Sequence, residues 1–129
     1  MPICFLHSHC LRSDTEVNAL MSELHAAMLE VLQVPQDDHD IRYVEHRPGH
    51  FRLPGGKSEQ YLLVLVQMFP GRSLEAKRAL YQAIVRRFSK LGVPETEVNI
   101  VLQSPSLEDF GLRGGQAACD LDLGFKLSV

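Results

Sequence analysis

Pro2 is the residue whose chemistry stands out first in this 129-residue chain. Once an initiator methionine is trimmed, as is usual before a small residue, Pro2 carries a free secondary amine. The reference pKa of an α-amino group is about 8, well below that of lysine, and burial and nearby cations lower it further. Such an amine suits proton abstraction next to a carbonyl. The plainer alternative is that proline at position 2 only marks a processed amino terminus.

The chain that must position this amine contains one pattern twice. Each copy has an apolar run, an arginine-serine motif, a helical stretch ending in Val-Pro and a second short apolar run; the motifs are Arg12-Ser13 and Arg72-Ser73, and the prolines are Pro35 and Pro94. The arginine-to-proline spacing is 23 positions in the first copy and 22 in the second. Matching landmarks at matching spacing indicate an internal duplication. We expect a single domain over residues 1–129, with repeats at 2–50 and 60–117.

Each copy has the pattern of a strand, a helix and a second strand. Apolar residues recur every three or four positions in both helical stretches; Ser13 and Glu16 fit a capping box, and Gly92 ends the second helix. Because the connection within each unit is long, its two strands are expected to be parallel. The sequence therefore predicts an α+β fold, with two tandem β-α-β units forming a four-stranded sheet and both helices on one face. The arginines of the second helix are interpreted as a solvated face: Arg78, Arg86 and Arg87.

Two further segments carry structural expectations. Residues 61–66 are apolar at every position, which is typical of a strand buried on both faces. Because a chain of this size has nothing left to cover the second face of the sheet, we expect self-association. Residues 121–127 alternate apolar and polar side chains, which predicts an edge or hairpin strand.

Six segments together resemble the tautomerase superfamily, over roughly residues 2 to 120. The resemblance is to the duplicated-length members, such as those like malonate semialdehyde decarboxylase, rather than to the half-length 4-oxalocrotonate tautomerases. The segments are Pro2 after Met1, Arg12-Ser13, Val34-Pro35-Gln36-Asp37-Asp38, Gly71-Arg72-Ser73-Leu74-Glu75-Ala76-Lys77, Val93-Pro94 and Glu108-Asp109-Phe110-Gly111-Leu112-Arg113-Gly114-Gly115-Gln116.

This resemblance implies roles for individual positions. Pro2 would be the catalytic group, and Arg72 would bind the substrate carboxylate, since a guanidinium fork pairs both carboxylate oxygens and favours the charge of an enolate. Decarboxylase-like members carry an aspartate just after the first helix, where Asp38 stands with Asp37 as a near competitor. An aromatic residue in the carboxy-terminal loop lines the pocket in this family, and Phe110 matches it.

Arg12 and Arg42 are further candidates for substrate binding. Arg12 is the first-half counterpart of Arg72, and Arg42 matches an arginine on the second strand of the short tautomerases, although the loop before it is two residues longer than its counterpart (7 positions from Pro35, against 5 from Pro94). The sequence leaves open which of these arginines and of the two aspartates reaches the pocket. The resemblance also implies a homotrimer.

The expected function is that of a tautomerase acting on a small 2-oxo acid or its enol, with the Pro2 amine as general base and Arg72 on the carboxylate. No metal or organic cofactor is expected. One alternative is decarboxylation of a 3-oxo acid, or hydration of an unsaturated acid, by a protonated Pro2 with Asp38. A second alternative is a binding trimer without catalysis that keeps the fold.

Composition narrows the class of protein. Thirteen basic against 16 acidic residues give a net charge of −3 and a pI near 6.0, which argues against nucleic acid or an anionic membrane as partner. The longest apolar run, residues 61–66, is too short to span a bilayer, and the amino terminus lacks the pattern of a signal peptide. Three cysteines without a clustered framework favour a reducing compartment, and we expect the cytoplasm.

Overall fold

The computed structural model describes residues 2–9 and 11–124 of the chain. Two long helices and four strands form the body of the fold, and a two-stranded hairpin follows it. The elements in chain order are β1 (Ile3–Ser8), α1 (Asp14–Leu32), β2 (Asp40–Glu45), β3 (Leu62–Gln67), α2 (Leu74–Lys90), β4 (Val98–Gln103), β5 (Gly111–Leu112) and β6 (Gln116–Ala117). Short 3-10 turns precede β4, precede β5 and follow β6.

The four long strands form one sheet in the order β2-β1-β3-β4. Strand β1 is parallel to β2 and β3 is parallel to β4, as a long helical crossover requires. The central pair, β1 and β3, is antiparallel, with Ile3 opposite Gln67 and Ser8 opposite Leu62. This arrangement confirms the predicted α+β class and sheet. It also places the start of β1 beside the end of β3, and the end of β1 beside the start of β3.

Both helices cover one face of the sheet and form the core with it. Alternate residues of the two central strands point into this core and are fully buried, as the two-residue period of a strand requires. The large side chains buried there include Leu6, Leu24, Met28, Val64, Leu80, Ile84 and Phe88. The opposite face carries Phe5, Leu63 and Leu65, which are only half-buried. The uniformly apolar run at 61–66 therefore has one face in the core and one on the open side of the sheet.

The helix ends are fixed by the predicted signals. The Ser13 side chain accepts a hydrogen bond from the Glu16 amide while the Glu16 carboxylate accepts one from the Ser13 amide, so the capping box is confirmed. The Ser73 side chain caps α2 by accepting a hydrogen bond from the Ala76 amide, and alanine at this position has no carboxylate for the reciprocal bond of a capping box. Gly92 follows α2 at φ +88°, a left-handed conformation that glycine adopts without strain. No helix in the described part of the chain is long and apolar enough to cross a membrane.

The arginines at the end of α2 are not simply solvated. Arg87 bridges Glu23 and Glu30 of α1 at 3.1 and 2.8 Å, and Arg86 contacts Glu30 at 2.9 Å. The expectation of a solvated face missed this contact because sequence spacing within one helix does not show which residues of the other helix lie opposite. The two helices are therefore joined across their outer edge by charge as well as by apolar packing.

The carboxy-terminal segment differs from the expected strand at 121–127. Residues 121–124 are irregular, and residues 125–127 lie outside the described part of the chain. Strand pairing occurs earlier, in the hairpin of β5 and β6, where Gly111 pairs with Ala117. Its turn contains Gly114 and Gly115 at φ +83° and +96°. These two glycines supply the left-handed conformations that a tight turn requires. The alternation of apolar and polar side chains at 121–127 does not predict the position of this turn.

Candidate active site

Pro2 lies at one end of the sheet, immediately before β1, and is buried. Its neighbours follow from the strand register. Ile3 is opposite Asp40 on β2 and opposite Gln67 on β3. One position earlier, Pro2 is therefore flanked by the turn that leads into β2 and by the residues that follow β3.

Asp38 belongs to that turn. Its amide donates a hydrogen bond to the Pro35 carbonyl at 3.0 Å, which fixes the turn between α1 and β2. Burial, followed by the charges of Asp40 and Asp38, raises the pKa of the Cys4 thiol to about 12. The Asp38 carboxylate therefore lies near the start of β1.

A cavity of about 380 Å³ opens at this end of the sheet. One wall comes from the turn after α1, one from the residue pair following β3 and one from the hairpin and the segment after it. The lining residues are Pro35, Asp37, Asp38, Phe69, Leu112, Arg113 and Leu123. Phe110 contacts this wall through Phe69, because the two rings make an edge contact at 4.7 Å between centroids.

Arg72 lies in the loop between β3 and α2, three residues after Phe69. Only 8% of its surface is exposed, and burial lowers the pKa of its guanidinium. The residue immediately precedes the Ser73 cap of α2. A nearly buried guanidinium at this end of the sheet is suited to an anionic group, because burial strengthens electrostatic interactions and the planar fork can hold both oxygens of a carboxylate.

The structure thus brings four of the predicted site residues to one end of the sheet: Pro2, Asp38, Arg72 and Phe110. Asp37, the competitor of Asp38, lines the same cavity. Within the chain, Arg12 lies elsewhere. It follows the opposite end of β1, a strand of 6 residues that spans about 17 Å at the usual rise of about 3.3 Å per residue.

Arg42 lies on the open face of the sheet. It is opposite Phe5 in the register of β1 and β2, and its guanidinium lies 5.1 Å from the centre of the Phe5 ring. An ion pair with Asp40 at 2.6 Å holds it there. Its charge is therefore partly neutralised by its own strand.

Arg113 lies in the exposed turn of the hairpin and also lines the cavity. It adopts φ +48°, unusual for a residue other than glycine. Its guanidinium donates a hydrogen bond to the Asp122 carbonyl at 3.1 Å, and its own carbonyl accepts one from the Gln116 side chain at 3.0 Å.

The arrangement as a whole is suited to acid-base chemistry on a small anion. A buried position for an amine and a nearly buried guanidinium lie at the end of the sheet where Asp38 and Phe69 line the cavity, although Pro2 and Arg72 are not among its lining residues. Among the residues that the structure describes, no group of three or more His, Cys, Asp or Glu is arranged to hold a metal ion.

Comparisons with known proteins identify relatives of this chain. A family model described as "Tautomerase enzyme" matches residues 38–113. A probable tautomerase, YusQ of Bacillus subtilis (strain 168), is 30% identical over 123 residues, which cover 91% of this chain and 97% of that protein.

Solved structures show the same fold. A malonate semialdehyde decarboxylase structure superposes with a TM-score of 0.82 at 26% identity, over 93% of this chain and 99% of the other. The native fused 4-OT structure gives a TM-score of 0.83 at 23% identity, over 95% and 99% of the two chains. A further structure, described as a fused 4-OT asymmetric trimer, gives 0.82 at 20% identity, over 92% and 97% of the two chains.

Proposed function

Because the chain belongs to the tautomerase family, whose members are enzymes, we propose that it interconverts the keto and enol forms of a small 2-oxo acid. Pro2 is the general base, and Arg72 binds the carboxylate of the substrate. The observation that carries this proposal is the sheet register, which brings the start of β1 and the loop before α2 to the same end of the sheet.

The proposed reaction transfers one proton without net change in composition. In the ketonisation direction, the neutral Pro2 nitrogen takes the proton of the enol hydroxyl, the C=O bond forms, and the electron pair of the C=C bond takes a proton from the Pro2 ammonium at carbon 3. Charge develops on the enolate between these steps. Arg72 stabilises it through the conjugated carboxylate, in a site where burial strengthens the interaction.

The burial of Pro2 supports this chemistry. Pro2 is buried at the start of β1, and burial in an apolar environment lowers the pKa of an amine because it disfavours the charged form. A neutral Pro2 at pH 7 is what a base requires. The volume of about 380 Å³ suits a small substrate.

Decarboxylation is the second candidate function. Two observations favour it: Asp38 lines the same cavity, and the malonate semialdehyde decarboxylase structure is 26% identical over nearly the whole chain. In this reaction Pro2 would be protonated, and Asp38 would orient or activate water or the substrate. The two functions thus differ in the protonation state of Pro2.

We further propose that the chain assembles as a homotrimer in the cytoplasm. The trimer is supported by the half-buried apolar residues on the open face of the sheet, Phe5, Leu63 and Leu65, and by fused 4-OT structures described as trimers. The cytoplasm is supported by the odd number of cysteines.

The test combines intact mass with kinetics. The purified protein is expected to lack one methionine and to ketonise phenylenolpyruvate, and Pro2→Ala is expected to lower kcat/KM about 10²-fold, the lower range for loss of a positioned base. Ile3→Val, adjacent but without an amine role, is the matched control. If kcat/KM for ketonisation rises with pH as Pro2 loses its proton, the result supports the tautomerase. If the rate of decarboxylation falls over the same pH range, the result supports the second function. A retained Met1 would exclude the proposed base and favour a binding protein, whereas a processed Pro2→Ala protein with unchanged activity would contradict the role of the proline ring amine, since alanine supplies only a primary amine there.

A further inference from the structure

The two sequence repeats have equivalent positions in the structure. Arg12 and Arg72 each immediately precede the serine that caps a long helix, Ser13 for α1 and Ser73 for α2. Strands β1 and β3 are antiparallel neighbours at the centre of the sheet. Arg12 and Arg72 therefore occupy equivalent positions at opposite ends of the sheet.

Two more positions match across the repeat. The Asp38 amide bonds the Pro35 carbonyl and the Glu97 amide bonds the Pro94 carbonyl, both at 3.0 Å, so the two carboxylates follow the same turn. Tyr61 precedes β3 as Pro2 precedes β1. The far end of the sheet thus has a guanidinium and a carboxylate in equivalent places, with a tyrosine in place of the amino-terminal amine.

At this far end the carboxylate is already engaged. Glu97 is 7% exposed, and both of its oxygens accept from the Ser58 amide at 3.0 Å. Ser58 belongs to the connector between the two repeats, which closes this side of the equivalent site. Arg12 lies on the other side of this end of the sheet, beside a cavity.

The Arg12 guanidinium is held by neutral groups. It donates to the Ser8 hydroxyl at 2.6 Å, to the Tyr43 hydroxyl at 3.0 Å and to the Gln60 carbonyl at 3.3 Å. Within the described ranges, residues 2–9 and 11–124, no carboxylate lies within ion-pair distance of it. Hydrogen bonds with Ser13, and after them the positive charge of Arg12, lower the pKa of the nearby Glu16 carboxyl group. Arg12 is therefore oriented in advance, and its charge interacts with Glu16 without a direct ion pair.

A cavity of about 170 Å³ lies against this guanidinium, between the start of α1 and the end of α2. A smaller one of about 110 Å³ shares several of its lining residues. Most of the wall is apolar, and the volume is close to that of a cavity of ~150 Å³ known to hold benzene. The lining residues are Arg12, Thr15, Glu16, Ala19, Leu20, Leu91 and Val93.

We propose that this cavity is a second ligand site, which binds a small monocarboxylate with a short aliphatic chain and performs no catalysis. The carboxylate pairs with Arg12, and the chain lies against Leu91 and Val93. Catalysis is excluded there because Tyr61 has no titratable amine and Glu97 is occupied by the connector. The inference depends on the Arg12 end of the sheet alone and holds whichever reaction Pro2 performs.

Pentanoate is a suitable probe, because it has the charge and size of the site and no reactive carbonyl. It is titrated into the Arg72→Gln protein, which removes the guanidinium of the catalytic end, and the backbone amides of Thr15 and Gly92 are followed by ¹H–¹⁵N NMR. Saturable shifts at both amides are expected at millimolar pentanoate. Pentanamide, which lacks the charge, is expected to bind at least tenfold more weakly.

Two substitutions localise the site. In the same background Arg12→Gln is expected to raise the Kd for pentanoate at least tenfold, whereas Arg78→Gln on the exposed surface of α2 leaves it unchanged. Ala19→Leu keeps the hydrogen bonds of Arg12 and fills the cavity, so it abolishes the shifts even if Arg12→Gln fails to fold. The absence of saturable shifts up to about 50 mM pentanoate, or shifts unaffected by Ala19→Leu, would overturn the proposal.

Discussion

The contribution of Arg72 to catalysis can be given a magnitude from its burial. The side chain is 8% exposed, so a carboxylate bound to it is largely removed from water. Truncating one partner of a buried, hydrogen-bonded charge pair costs about 2–5 kcal/mol. Because each 1.4 kcal/mol is a factor of ten, a loss of about 3 kcal/mol in Arg72→Gln corresponds to a decrease of about 10²-fold in kcat/KM.

Arg72→Lys separates charge from geometry. Lysine keeps the positive charge but loses the planar fork that binds both carboxylate oxygens, so we expect a decrease of roughly tenfold, intermediate between the wild type and Arg72→Gln. If Arg72 acts equally on the ground state and the transition state, KM rises while kcat is unchanged; if it stabilises the enolate, kcat falls. We expect kcat to carry most of the effect.

The assay is ketonisation of phenylenolpyruvate, with circular dichroism to show that each variant is folded. Arg78→Gln is the matched control, because this arginine is exposed on the same helix that follows Arg72, and we expect its kcat/KM to stay within threefold of the wild type. A folded Arg72→Gln protein with kcat/KM within threefold of the wild type would refute the assignment of the carboxylate to this guanidinium.

Three further predictions concern the rest of the chain. Arg87→Gln is expected to lower the free energy of unfolding by about 1 kcal/mol, because Arg87 joins two carboxylates of α1. Arg86→Gln is expected to lower it by less than about 0.5 kcal/mol. Equal losses for the two variants in urea denaturation would contradict this prediction. Burial, and secondly the neighbouring His46, lower the pKa of His7 from its usual value of 6.5. Below pH 6.5 the unfolded chain therefore binds more protons than the folded chain, and the free energy of unfolding decreases as the pH falls. We expect His7→Gln to reduce this pH dependence, as measured by urea denaturation at several pH values. The raised pKa of the Cys4 thiol, about 12, predicts that iodoacetamide at pH 8 modifies exposed Cys119 and spares Cys4 in the folded protein, which peptide mass spectrometry can check.

The duplicated pattern was sufficient to predict the body of the fold. Each half carries a serine cap, a helical period of apolar residues and a Val-Pro pair in the same order, and all of these are local signals. The long connection in each half fixes the parallel pairing of its strands for steric reasons that depend little on side chains. The four-stranded sheet and its α+β class followed from these features and from the family resemblance, whereas the strand order β2-β1-β3-β4 came from the structure.

Local signals failed where the answer depended on partners distant in sequence. Arg87 belongs to an ion-pair network because Glu23 and Glu30 lie opposite it across the helix interface, which the period of α2 alone does not show. Alternation over 121–127 predicted a strand, but its described part, residues 121–124, is irregular, because alternation shows only which residues could share a face. Strands β5 and β6 depend on the turn at Gly114 and Gly115. Glycine is favoured there because both residues have positive φ angles, a requirement that the hydrophobic pattern of the sequence does not show.

The sequence by itself determined which groups were available for chemistry: a proline after the initiator methionine, an arginine before each of the two long helices, and a carboxylate after each of them. Only the tertiary structure decided which of them share an end of the sheet. The antiparallel pairing of β1 with β3 places Pro2 with Arg72 and separates it from Arg12 by the length of a strand. Strand direction is a property of the whole sheet, so spacing along the chain could rank Arg12 and Arg72 only as equals.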